Sequence, residues 1–203
     1  LHELSPDNGE PLGTAHQGHV GFQGGLGSGV DIATSATGGL VEYQMQDRSA
    51  ARLAMPHGLE CRLFWSGSPA STGTKLERLS SHGPQPSIDA LVYSSRRMAS
   101  AWESASATAV LAEYREYIKV LQEFSNDHDL GIFDAGHAEM AALAADAGLV
   151  YKPCGAGGGD IGILLADDAT RADEFVGAAL SGKFKALDLG VDPLGVQVSR
   201  DNQ

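Results

Sequence analysis

The stretch Gln23-Gly24-Gly25-Leu26-Gly27-Ser28-Gly29-Val30-Asp31-Ile32-Ala33 sets glycines at 24, 25, 27 and 29 just ahead of a carboxylate. Glycines at that density let backbone approach a ligand closely and turn amide N–H groups outward, which suits phosphate around Ser28 and Gly29. Read from composition alone, the same stretch is equally a flexible loop with Asp31 as a helix cap. A second stretch, Lys152-Pro153-Cys154-Gly155-Ala156-Gly157-Gly158-Gly159-Asp160, holds four glycines within five residues directly before an apolar run. One glycine suffices to close a helix, so the excess points to a ligand pressed against the main chain. A tight helix-to-strand connection is the competing explanation. The third stretch, Trp65-Ser66-Gly67-Ser68-Pro69-Ala70-Ser71-Thr72-Gly73-Thr74, is rich in hydroxyls. There Ser71 or Thr72 serves most simply as the cap of a helix running to Leu79.

Other chemistries find little support. The first stretch lacks the Gly-Lys-Ser/Thr ending of a P-loop and the glycine spacing of a dinucleotide fingerprint. There is no GxSxG elbow, no HExxH pair and no convincing nucleophilic cysteine. His16 and His19 are the one close histidine pair among seven, and no helix is evident there to aim both at a metal. No metal site is expected.

The elements that must hold these stretches follow from periodicity. Gly39–Met45 alternates as a half-buried strand, and Cys61–Trp65 is a second. A helix is expected from Pro86 to Trp102 with Ser87 as its N-cap. Another spans Thr108 to Phe124, where Leu111, Tyr114, Ile118 and Leu121 form one apolar stripe. Asp134 is expected to cap an alanine-rich helix ended by Gly148, with a turn over 151–159. Ile161–Ala166 reads as a buried strand, and Thr170 with Asp173 resembles a capping box for a helix closed by Gly182. A last strand is expected at Leu194–Val198. Helices on one face of a mostly antiparallel sheet is the simplest packing for this order, with a boundary near Pro56-His57-Gly58.

Composition narrows the partners. The 203 residues include 14 basic and 26 acidic side chains, a formal net charge of −12. A surface that negative repels a nucleic-acid backbone. Two cysteines without paired spacing disfavour both zinc and a disulfide framework, which fits a reducing, cytoplasmic setting. No apolar run is long enough to span a membrane, and the N-terminus is no signal peptide.

Taken in order, the three stretches resemble the GHMP kinases. Gly27-Ser28-Gly29-Val30-Asp31-Ile32-Ala33 with Ser35, Gly38 and Gly39 is similar to the superfamily segment carrying the active-site aspartate, with Asp31 at the matching position. Gly155–Asp160 resembles the glycine-rich third motif near the phosphates. Trp65–Thr72, with Ala15-His16 and Gln23-Gly24, narrows the resemblance towards phosphomevalonate kinases. The family's first motif, which supplies a lysine, and its Gly-Leu-Gly-Ser-Ser nucleotide loop have no counterpart in these residues. Cys154 stands where those kinases tend to carry a serine.

The resemblance implies an α/β fold. Residues 1 to 57 would be the tail of an N-terminal domain, and residues 58 to 203 a ferredoxin-like layer of helices on an antiparallel sheet, with the site in the cleft between them. It implies ATP and Mg²⁺ as cofactors and a small phosphorylated substrate. Asp31 would be the catalytic residue, and Ser28, Gly29, Gly155, Ala156, Gly157, Gly158 and Gly159 the phosphate contacts. Ser68, Ser71 and Thr72 would form a substrate loop. Other implied readings are mevalonate kinase, diphosphomevalonate decarboxylase or a non-catalytic ligand- or partner-binding descendant. The departures imply a missing N-terminal segment, a separate partner chain or a homo-oligomer, and little kinase activity from these residues alone.

Overall fold

A computed structural model of the chain describes residues 18, 21, 27–80, 86–179 and 182–197. The front of the first glycine stretch (23–26), Ala15, His16, His19 and Val198 lie outside them. Two compact units result: Leu1–Met55 with Gly190–Gln203, and Pro56–Leu189.

In the first unit, Gly29 takes a left-handed conformation (φ 80°) and leads into helix α1, Val30–Thr37. The Ser28 hydroxyl accepts the Val30 N–H at 3.3 Å. Gly38 (φ 69°) ends the helix by donating to the Thr34 carbonyl. Strands β1 (Leu40–Gln44) and β2 (Ser49–Leu53) then pair antiparallel. The Tyr43 hydroxyl ties β1 to the Ser28 carbonyl at 2.8 Å. The strand expected at Leu194–Val198 does not form across 194–197. That segment lies against α1 instead, with Val196 N–H on the Ser35 carbonyl and Gly39 N–H on Asp192. Its alternation of apolar residues mimics a strand, but Leu194 and Val196 are exposed and find no ladder.

The second unit is built on an antiparallel sheet of β3 (Glu60–Trp65), β4 (Val150–Pro153), β5 (Ile161–Ala166) and β6 (Lys185–Leu187), in the order β4-β5-β3-β6. The residues expected to form a turn from Tyr151 thus begin with a strand. Four helices precede β4: α2 (Thr72–Ser80), α3 (Pro86–Glu103), α4 (Ala107–Asp127) and α5 (His137–Asp146). Helix α6 (Ala169–Ala179) joins β5 to β6.

Side chains alternate between the two faces of the sheet, and both faces are covered. Phe64, Tyr151, Leu164 and Ala166 pack with Met140 and Ala144 of α5 and Ala172 and Phe175 of α6. Cys61, Val150, Ile163 and Leu165 pack on the other side with Ala101 of α3 and Val110, Leu111, Tyr114 and Ile118 of α4. The expected helical layer is therefore present, and the α3–α4 hairpin adds a second. Each large aliphatic side chain so buried contributes about 1.5–3 kcal/mol.

Three caps differ from expectation. Ser87 lies inside α3, buried, with its hydroxyl 3.2 Å from His128 Nε2. Gly136 (φ 94°), not Asp134, precedes α5. Asp168, not Thr170, caps α6 by accepting the Arg171 N–H at 2.9 Å.

At the middle of the sheet a Cβ on Gly162 would stand 1.9 Å from the Tyr151 hydroxyl oxygen and 2.4 Å from its ring. Gly162→Ala is expected to destabilise the protein by at least about 2 kcal/mol through overpacking. Adding Tyr151→Ala should make the pair less costly than the sum of the single changes, as denaturant melts of the four proteins would reveal.

Candidate anion site on the glycine loop

Residues 154–160 connect β4 to β5 in a loop fixed at both ends. Cys154 N–H bonds the Ile161 carbonyl at 2.8 Å, and Gly157 N–H turns back onto the Cys154 carbonyl at 3.2 Å. Gly158 N–H reaches the Ile132 carbonyl at 2.7 Å. Asp160 N–H bonds the Ser68 carbonyl at 2.7 Å, while Ser66 N–H bonds the Asp160 carbonyl at 2.9 Å. Buried Ser66 also donates its hydroxyl to the Ser68 carbonyl at 3.1 Å. Two of the three stretches singled out in the sequence thus meet, joined by this reciprocal clamp. Ser71 and Thr72 stand at the start of α2, where the Ser71 and Thr74 hydroxyls lie 3.1 Å apart. Asp31, Ser28 and Gly29 belong to the first unit, with Asp31 exposed in the first turn of α1.

The glycines are not equivalent. A Cβ on Gly157 would fall 2.4 Å from the Ile132 carbonyl oxygen, and one on Gly158 would fall 2.5 Å from Lys75 Nζ and 2.6 Å from the Gly131 oxygen. A Cβ on Gly159 would meet the Ser68 carbonyl at 2.7 Å. Close packing against the protein's own backbone therefore accounts for three of the four glycines. Gly155 differs: it is left-handed (φ 58°), exposed, and has open space where a Cβ would go. Among the described residues, the N–H groups of Gly155, Ala156 and Gly159 make no hydrogen bond. Amides without a protein partner on a loop held in shape are donors of the kind that anions take up.

Charge next to the loop comes from Lys75, whose ammonium donates to the Gly131 carbonyl at 3.2 Å and abuts Gly158. Burial pushes its pKa down, and neighbouring Arg78 adds to that, with Asp134 opposing. Burial likewise lowers the Lys152 ammonium and raises both free thiols, Cys61 and Cys154. Neither thiol is an activated nucleophile. Among the described residues no cluster of three acidic, histidine or cysteine side chains could hold a metal ion. No helix there is long and apolar enough to cross a membrane.

Sequence reasoning missed the residue beneath the loop. His137 is fully buried at the start of α5. Its Nδ1 lies 2.8 Å from the Tyr151 hydroxyl and its Nε2 lies 2.9 Å from the Gly159 carbonyl oxygen. Histidine and tyrosine are fourteen positions apart, so no short-range spacing reveals the pair. It becomes legible only once Tyr151 is placed on a strand. Burial pushes the His137 pKa below its ordinary value, with Lys75 and Lys152 adding to that and the Gly159 carbonyl and Asp160 opposing it. The unfolded chain therefore binds the proton more readily, and this histidine's contribution is complete above about pH 6.5 and lost as pH falls below it. Against a His137→Gln variant, the wild-type advantage in urea melts should shrink on acidification by up to about 1.4 kcal/mol per pH unit.

This sheet order, its helical layers and the glycine loop beside β5 define a class: the chain has the GHMP-kinase fold. It superimposes on a Lin0012 protein of Listeria innocua with a TM-score of 0.79 at 20% identity, covering 89% of this chain and 58% of that one. It also superimposes on Streptococcus pneumoniae phosphomevalonate kinase in complex with phosphomevalonate and AMPPNP (TM-score 0.69, 18% identity, 85% of this chain and 58% of that one). In sequence the chain is similar to phosphomevalonate kinase. It is 31% identical over 176 residues to the Streptomyces sp. (strain CL190) enzyme, covering 72% of this chain and 47% of that protein. Bos taurus mevalonate kinase is 33% identical over 192 residues, covering 87% of this chain and 48% of that protein. The chain spans about half the length of these curated relatives. No family model matches it.

Proposed function

We propose that this chain serves ATP-dependent phosphoryl transfer to a phosphorylated mevalonate-type acid, with residues 155–159 contacting phosphate and Asp31 as the catalytic carboxylate. The single observation that carries this is the loop geometry: amides at Gly155, Ala156 and Gly159 are left without protein partners on a loop fixed at both ends. Likeness to phosphomevalonate kinase supports the acceptor class. The γ-phosphorus–oxygen bond to ADP breaks as an acceptor phosphate oxygen bonds to that phosphorus, giving ADP and a diphosphate. A phosphomonoester has a second pKa of about 6 and is mostly dianionic at neutral pH, so its attack needs no base. Positioning and neutralisation of charge then remain as the tasks of the protein. Lys75 abuts Gly158, and it supplements the amides.

Mg²⁺ would arrive on ATP. An exposed carboxylate such as Asp31, without a multi-ligand cage, fits a cation that keeps its waters and takes one or two carboxylates beside substrate phosphates. When bound, it supplies charge neutralisation at the transferring group.

A panel of mevalonate, phosphomevalonate and diphosphomevalonate, with ATP consumption as readout, tests the assignment. With an intact protein that carries these residues, phosphomevalonate should be consumed, and chelation by EDTA should abolish turnover. The likeness to mevalonate kinase favours a second reading, in which mevalonate itself is the acceptor and Asp31 takes its hydroxyl proton; mevalonate would then win the panel. These 203 residues alone are expected to show little turnover, and ligand-induced thermal stabilisation without turnover in an intact protein would favour a binding descendant.

A further inference from the structure

We infer that His137 is a positioning residue for the anion site, holding the glycine loop in its accepting shape through the Gly159 carbonyl. This rests on the reading of residues 155–159 as a phosphate contact. A carbonyl oxygen accepts only, so at 2.9 Å the imidazole must present Nε2–H to Gly159. The second nitrogen must then accept, and the Tyr151 hydroxyl at 2.8 Å donates to it. The tautomer of His137 is thus set by Tyr151, as a ring's second hydrogen bond sets the first. The rings of His137 and Tyr151 stack at 26°, and Phe184 packs edge-on against both. This arrangement fixes the imidazole plane as well as its proton.

The consequence for the loop is directional. A peptide plane held by its carbonyl has its neighbours' orientation constrained too. Gly159 N–H is one of the three amides without a protein partner, and Asp160 N–H on the far side of the held carbonyl is locked to Ser68. Gly159 itself has φ 157° and no room for a side chain. Releasing the carbonyl would leave this peptide held by the Asp160 bond to Ser68 alone and would loosen the Gly159 end of the loop, where one of the three amides lies. His137 touches no ligand in this scheme; it acts through the loop.

The test uses the whole 203-residue chain with inorganic diphosphate as probe, followed by the ¹⁵N-amide shifts of Gly155, Ala156 and Gly159. Wild type should show saturable shifts at these amides, and its imidazole ¹⁵N pattern should be that of the Nε2–H tautomer. His137→Leu should weaken diphosphate binding at least tenfold, and His137→Gln, which keeps an amide donor, should restore it to within about threefold. Tyr151→Phe, which keeps the packing and removes only the hydroxyl, should weaken binding about threefold or more, and it decides the matter should the leucine variant not fold. An Nδ1–H tautomer, or undiminished binding by His137→Leu or Tyr151→Phe, would overturn the positioning role and leave the phosphate reading intact. Absence of any shift in wild type would overturn the phosphate reading, and the positioning role with it.

Discussion

Asp31→Asn is expected to lower ATP-dependent turnover at least about 10²-fold while leaving folding nearly untouched. The side chain is exposed in the first turn of α1, and an asparagine of nearly the same shape keeps its packing and one accepting oxygen. A carboxylate there gains about 0.3–1 kcal/mol from the helix dipole, and losing that shifts the melting midpoint by no more than about 4 °C. Chemistry is more sensitive. If Asp31 accepts a hydroxyl proton, an amide cannot replace it, and general-base loss costs about 10²–10⁴-fold. If it organises cations around anionic oxygens, the lost charge acts where electrostatic stabilisation is largest, at about 10²–10³-fold. The two roles separate by acceptor, since only an alcohol requires the base. Turnover within threefold of wild type, in a variant with unchanged thermal midpoint, would remove Asp31 from the mechanism.

How far such a site can be read before folding depends on the range of the forces involved. β3, β5, α3 and α4 were legible because their burial patterns are local: Cys61–Trp65 and Ile161–Ala166 are short apolar runs, and Leu111, Tyr114, Ile118 and Leu121 recur on one helical face. β4 was hidden because Pro153 and the glycines behind it resemble a turn, and β6 because three residues carry no period. The false strand at 194–198 shows the opposite error, alternation without a partner to pair with. The second helical layer was beyond reach, since element order does not say which face of a sheet a hairpin covers.

The glycine loop shows a deeper limit. An absent Cβ is required equally by a ligand and by a neighbouring carbonyl, and the sequence carries no mark that separates them. Gly157, Gly158 and Gly159 turn out to face Ile132, Gly131, Lys75 and Ser68, all distant along the chain. Their number is therefore a poor sign of a ligand, and the stronger sign is what remains: one open glycine and three amides with no protein partner. Lys75 lies far from the glycine loop along the chain, and only the fold brings it there.

That distinction predicts opposite behaviour for two neighbouring glycines. Gly157→Ala combines a left-handed backbone (φ 67°) with a Cβ 2.4 Å from the Ile132 oxygen and 2.6 Å from its Cγ2. The conformational cost is about 1–2 kcal/mol, and overpacking against backbone adds about 1–3 kcal/mol. The Gly158 hydrogen bond to the same Ile132 carbonyl would be strained as well. The two quantified costs together, about 2–5 kcal/mol, should lower the melting midpoint by roughly 10 °C. Gly155→Ala bears only the conformational cost, since nothing lies within 4 Å of the new methyl. Its midpoint should fall by about 2–8 °C, less than that of Gly157→Ala. The methyl nevertheless enters open space beside two amides without a protein partner, and diphosphate affinity should fall at least tenfold. Thermal melts and diphosphate titrations of both variants measure these quantities in parallel. Equal destabilisation by the two substitutions would make every glycine of the loop structural. A stable Gly155→Ala protein that binds as wild type would move the anion off that side of the loop altogether.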